Sequence, residues 1–257
     1  ALCAHRSAGA SLGELDDELA EVRFDASRVG LVGVDLGGQI GALLSLVQPD
    51  ISALYLALCS GHLTEELVES PTLKPLFDRL LGRFGIEPTD VDYEQNPPIY
   101  WPELAVWQTL MDRADPMSFA PALRLQPVSI LMAMARNDEV SNNIGTESLG
   151  RALNAVFASN SAATPRFTDM RVAQAPIQGN VMTGNYRVTR VLFQYDRATH
   201  LLLTIRNDVY RWDHPVRAPF KPAPEEAVVN PIGEALDQMA EFFHTWRSGV
   251  PIVIPPG

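Results

Sequence analysis

The chain has 257 residues, 46% of them hydrophobic and 20% charged, with a formal net charge of −11. That length suits one domain of the larger kind with a proper buried core, and the acidic balance argues against nucleic acid or an anionic membrane surface as partner. No apolar run approaches the ~20 residues of a membrane span, no signal peptide is visible, and Cys3 and Cys59 lack metal-ligand spacing and read as free or buried thiols.

Leu12 to Val22 has helical spacing, and Val29 to Val34 reads as a strand. A glycine-rich turn leads into a helix over 37–47, which Pro49-Asp50 ends, and Ala53 to Leu58 is the next strand. Residues 61–124 carry helical spacing broken by Pro71, Pro75, Pro88, Pro97, Pro98 and Pro102. Their aromatic and Met side chains, among them Phe77, Trp101, Trp107 and Met117, fit an inserted helical subdomain packing on itself. They also fit a lid that lines an apolar substrate pocket. Pro127 to Ala135 is a strand, and residues 146–153 form a helix. Residues 158–187 lack periodicity and read as a long excursion before the strand Arg190–Tyr195. A proline-rich stretch over 213–231 precedes an amphipathic helix from Pro231 to Trp246, with Ile232, Leu236, Met239, Phe242, Phe243 and Trp246 as its apolar stripe. Ile252 to Pro256 is a short extended tail. The whole divides into core residues 1–60, a helical insertion at 61–124 and further core at 125–257.

The informative stretch is Gly33-Val34-Asp35-Leu36-Gly37-Gly38. Strand, glycine-bracketed turn and helix make the layout of a nucleophile elbow, normally G-x-S-x-G, in which one side chain stands at a strained tip before a helix N-terminus. Here the tip residue is Asp35. The later strand ends in Arg136-Asn137-Asp138-Glu139-Val140, and the last one is followed by Ala198-Thr199-His200. Tip residue, acid after a strand, then histidine after a later strand is the order of a Ser…Asp…His triad. Each falls at a strand's carboxyl end, where open α/β sheets bind ligands.

On these pieces, together with Ala114 to Pro121, the chain resembles the α/β-hydrolases, in particular the secreted bacterial esterases described as virulence-factor lipases. The resemblance implies a mostly parallel sheet flanked by helices with a helical lid. It implies hydrolysis of carboxylic esters with an apolar acyl group, no metal or organic cofactor, and secretion. It places Asp35, Asp138 and His200 in the triad and the Leu36 N–H as oxyanion donor. About four strands and a second oxyanion donor precede the elbow in complete α/β-hydrolases, so a fragment or truncated form is expected. The departures are Asp35 for serine, Ser141 for proline after Val140, and Leu201 for glycine after the histidine.

Among the five histidines, His214 in Trp212-Asp213-His214-Pro215 is the rival to His200. His62 reads as a lid-base residue, His244 as a structural residue beside the core face of the last helix, and His5 lies too near the start. Glu139 is the fallback acid. Asp35 leaves three readings open. As a nucleophile it would displace a leaving group at saturated carbon and form an ester that a His-activated water cleaves. Attack on an ester carbonyl would give a high-energy anhydride instead. As a relic it would mark an inactive homologue that binds a ligand or partner, because two carboxylates beside His200 favour imidazolium, a poor base. As an isolated change it would interrupt a serine chemistry that the rest of the site retains.

Overall fold

The structure, a computed structural model, describes residues 28–83, 101–136, 138–159, 164–195, 198–200, 202–203 and 231–255. The expected helix at 12–22 and the segment holding His214 lie outside them. Six strands form one sheet: β1 (Val29–Val34), β2 (Ile51–Ala57), β3 (Ser129–Ala135), β4 (Val156–Ala158), β5 (Val172–Ala173) and β9 (Arg190–Tyr195). Their spatial order is β1-β2-β3-β9-β4-β5, and every adjacent pair runs parallel. Buried on both faces, the central strands carry continuous apolar runs rather than an alternation.

The two-residue period sorts those runs into two cores. Ala53, Tyr55, Ala57, Leu131, Ala133, Val191 and Phe193 face one side, where the long helix α7 (Pro231–Ser248) lays down Ala235 and Phe242. Leu54, Leu56, Ile130, Met132, Met134 and Leu192 face the other. That side is covered by Ala42 of α1 (Leu36–Val47), Ala120 and Leu123 of α5 (Pro116–Leu123), and Leu149 and Leu153, in and just after α6 (Asn143–Ala152).

The helical stretch expected at 61–124 contains α2 (Leu63–Glu69), α3 (Lys74–Arg83), α4 (Pro102–Met111) and α5. Its first three helices enclose an apolar cluster of their own, Val68, Phe77, Leu81, Trp101 and Leu104, so Phe77 and Trp101 serve packing. No helix among the described residues is long and apolar enough to cross a membrane.

Three expectations change. The excursion at 158–187 holds short strands, including β6 (Ile177–Gln178) and the hairpin of β7 (Val181–Thr183) with β8 (Tyr186–Val188). At two or three residues each, they are too short to show a period. In α7, Leu236 is exposed while Gln238 is buried. Gln238 accepts from Tyr195 Oη at 2.6 Å and donates to the Ile254 carbonyl at 2.6 Å, so its amide tolerates the interior. His244 is exposed, not beside the core. It lines an open groove of about 460 Å³ with Gln178 and Arg187, to which none of Asp35, Asp138 and His200 contributes.

One buried cation organises the far end of the sheet. Arg190 is fully buried and donates to the carbonyls of Leu123, Arg124, Gln126, Val128 and Leu153. A planar guanidinium with five N–H donors can satisfy the loose ends after α5 and α6 together.

Candidate active site

The parallel order brings the ends of β1, β2, β3 and β9 to one edge. The ladder continues past the strands, with Asp35 N–H donating to Ala57 O at 2.9 Å, Leu58 N–H to Ala133 O at 2.8 Å and Arg136 N–H to Tyr195 O at 3.0 Å. Asp35, Leu58 and the residues after β3 and β9 are therefore neighbours in space.

Asp35 occupies the turn between β1 and α1 with φ 54° and ψ −126°, a conformation rare for a residue with a Cβ. The glycines around it allow the tight approach: a Cβ on Gly38 would stand 2.8 Å from Cys59 Cβ, and one on Gly33 would meet the Gly37 carbonyl. The Asp35 carbonyl accepts from Gly38 N–H at 2.8 Å, which starts the helix. Its carboxylate does not cap α1. It turns instead toward His200, with Oδ2 3.7 Å from Nε2, and toward Ser141, whose Oγ is 3.5 Å from Oδ1.

Asp138 stands on the other side of the imidazole, Oδ1 2.8 Å from His200 Nδ1. The same oxygen accepts the N–H groups of Val140 and Ser141, both at 2.9 Å, which fixes the acid turn before α6. Glu139 holds the histidine loop by its backbone: its Oε2 accepts His200 N–H at 3.1 Å. The structure thus brings Asp35, His200 and Asp138 together, while His62 lies at the start of α2, its N–H donated to Asp115.

Protonation follows from these contacts. Burial alone would lower the His200 pKa, but the hydrogen bond to Asp138 and the nearby carboxylates of Asp138 and Asp35 overcome it and raise it to about 10. The close approach of His200, 3.7 Å away, holds the Asp35 carboxyl below its ordinary value, against partial burial and with help from the Leu36 N–H. Burial pushes the Asp138 carboxyl up, opposed by His200 and the two turn N–H groups. At neutral pH the proton of the cluster sits on the imidazole, which both acids flank.

Three residues escaped the sequence reading as parts of this neighbourhood. Buried Asp115 ties α2 to α5, accepting from Leu63 N–H, Met117 N–H and Gln108 Nε2 at 2.8–2.9 Å and from His62 N–H at 3.2 Å. Its position before Pro116 was the available signal, since Asp before Pro is an N-cap pattern. Ser141 donates to Leu58 O at 2.8 Å, and its signal was the missing proline. Glu66, buried in α2 and bonded by Gln39 Nε2 at 3.2 Å, had none that set it apart from Glu65 and Glu69. Cys59 is a free, buried thiol. No group of His, Cys, Asp and Glu among the described residues is arranged to hold a metal ion.

No protein-family model matches the chain, and no curated protein matches it. Solved structures do. An acylaminoacyl peptidase from Pyrococcus horikoshii is 10% identical with a TM-score of 0.43, over 96% of this chain and 26% of that one. A puromycin-hydrolyzing peptidase from Mycobacterium tuberculosis is 14% identical with a TM-score of 0.39, over 77% and 21%. Acetyl xylan esterase 1 from Thermoanaerobacterium sp. JW/SL YS485 is 13% identical with a TM-score of 0.38, over 77% and 46%. The chain spans about a fifth to a half of the length of such structures. A parallel sheet flanked by helices, whose glycine-bracketed turn follows β1, acid turn β3 and histidine loop β9, is the α/β-hydrolase arrangement, and this chain has that fold.

Proposed function

We propose that Asp35, Asp138 and His200 form the hydrolytic centre of a carboxylic ester hydrolase, held silent toward esters by the carboxylate at residue 35. The observation that carries this reading is the 3.7 Å approach of Asp35 Oδ2 to His200 Nε2. A serine at that tip would give its proton to Nε2 and attack the ester carbonyl, with the Leu36 N–H receiving the oxyanion. Asp35 has no proton to give, and it holds the imidazole as imidazolium. Attack by its carboxylate on a carbonyl would form an anhydride. The chain as it stands then binds ester-like small molecules at this edge without acyl transfer. The helices from α2 to α5 serve as the cover for an apolar acyl group.

Asp35→Ser tests the reading. It should raise p-nitrophenyl ester hydrolysis by roughly 10²–10⁴-fold over the unaltered chain, the contribution expected of a positioned base. The gain should vanish in Asp35→Ser/His200→Ala. An Asp35→Ser protein that folds and hydrolyses no ester would overturn it.

A second reading rests on a separate observation. The Asp35 carboxylate is ionised, partly exposed and unused as a helix cap. It could displace a leaving group at saturated carbon, giving an alkyl ester that a His200-activated water cleaves. Halide release from haloalkanes, or diol formation from epoxides, by the unaltered chain and not by Asp35→Asn would establish that chemistry.

A further inference from the structure

Two adjacent acids grip one histidine. Asp138 takes the His200 ring at Nδ1, and Glu139 takes its main chain, with Oε2 accepting His200 N–H at 3.1 Å. On either side of the histidine, buried Ala198 and Leu202 seat its loop in the core, and Leu202 N–H donates to Thr199 O at 3.1 Å. His200 stands between these two anchors, where the bond to Glu139 fixes the backbone that carries the ring. Because Glu139 bonds the main chain and not the imidazole, it acts on the ring by placement.

Glu139 is held at its other end by a different part of the chain. Its carbonyl accepts Thr72 N–H at 3.1 Å and the Ser70 hydroxyl at 3.2 Å. Ser70 is fully buried and joins two helices: its N–H donates to Glu66 O at the end of α2, and its carbonyl accepts Lys74 N–H at the start of α3, both at 2.9 Å. The acid turn between the two ends of Glu139 does not yield, because Asp138 Oδ1 accepts Val140 N–H and Ser141 N–H across it. The seat of the α2–α3 turn and the tie on His200 therefore share one residue in a fixed backbone.

We propose that Glu139 is a positioning residue that joins the helical stretch to the site: the α2–α3 turn seats on its carbonyl, and its carboxyl group holds His200 between Asp138 and Asp35. His200 then keeps both acids only while that turn is in place. A displacement of about 1 Å takes Asp138 out of bonding range of the ring, so a cover that shifts to admit a ligand loosens the imidazole and its return restores the pairing. The value of this for hydrolysis rests on the reading of the site given above. The joint itself does not, and its tests involve no turnover. Silence of Asp35→Ser toward esters would end that reading and leave the joint standing.

NMR of the whole chain reads both ends. Glu139→Ala should lower the proton affinity of the His200 ring about tenfold, roughly one pH unit in its titration. It should also speed amide exchange at His200 by about tenfold. Glu139→Gln, whose side-chain carbonyl still accepts the His200 N–H, should leave both readings at the level of the unaltered chain. Equal ring shifts in the two variants would mean that Glu139 acts by its charge, and that result, or a ring unmoved by Glu139→Ala, would overturn the positioning role. If Glu139→Ala does not fold, Glu139→Met, which fills the space without an acceptor, takes its place with the same expected loss. Ser70→Ala, which removes the hydroxyl from the Glu139 carbonyl, should speed exchange at Thr72 and at His200 together. Faster exchange at Thr72 with His200 unmoved would overturn the joint.

Discussion

His200 Nδ1 lies 2.8 Å from Asp138 Oδ1 across 62 positions of sequence, and this contact makes one site of two loops that leave neighbouring strands. Because Asp138 Oδ1 also accepts two N–H groups of its own turn, the ring is oriented by a carboxylate that cannot swing. Asp35 then meets the ring's other nitrogen, and the imidazole is held between opposite ends of one ion network.

The His200 network should make folding stability depend on alkaline pH. The folded pKa, about 10, exceeds the unfolded value near 6.5. The stabilisation is therefore fully present below pH ~6.5 and is lost as pH rises through about 10. Denaturant midpoints measured from pH 6 to 11 should fall across that window. The fall should shrink in Asp138→Asn, and a slope unchanged by that substitution would show that another group titrates.

Asp35→Asn should lower the His200 pKa by roughly one unit or more, since it removes one of the two charges that raise it. The NMR titration of the ring protons checks this in a chain that need not turn over any substrate. An unmoved value would mean that the Asp35 carboxylate exerts no hold on the ring.

Arg190→Met should destabilise the fold by about 3–5 kcal/mol, the cost of leaving several buried carbonyls without the donor they share. The five carbonyls it serves belong to the chain around α5, the entry to β3 and the end of α6. Urea unfolding monitored by tryptophan fluorescence measures it. A loss below about 1 kcal/mol would show that water replaces the guanidinium.

Asp115→Ala should cost about 2–4 kcal/mol, since several buried donors at the starts of α2 and α5 lose one shared acceptor. Hydrogen exchange should speed up at His62, Leu63 and Met117 before it does so at β3. Uniform exchange across all of them would contradict a local tie.

Gly38→Ala should be poorly tolerated, by about 1–3 kcal/mol, because the new methyl would stand 2.8 Å from Cys59 Cβ on the neighbouring strand exit. Cys59→Ala does not relieve that contact, and thermal melting of the single and double variants checks this. Recovery in the double variant would mean that the sulfur, 3.2 Å away, carried the clash.

Much of the frame is written locally. The runs Val29–Val34 and Arg190–Tyr195 have the observed strand bounds, and Ser129–Ala135 and Leu36–Val47 differ from the expected ones by one or two residues, because apolar strand runs and a helical pattern after a glycine turn are local signals; which face is buried is not, since α1 buries Gly38, Gly41 and Ala42 and leaves Leu36, Ile40, Leu44 and Val47 exposed. The chain order of Asp35, Asp138 and His200 was legible for the same reason: each follows a strand end. Other features were decided only by folding. Leu236 yields the core to Gln238 because Tyr195 and Ile254, distant in sequence, supply both partners of the amide. Glu66 comes to accept from Gln39, and Arg190 gathers five carbonyls, through contacts between elements far apart in the chain. Periodicity records which face of an element is apolar. Whether a polar group can be buried there depends on the partners that the tertiary structure brings to it.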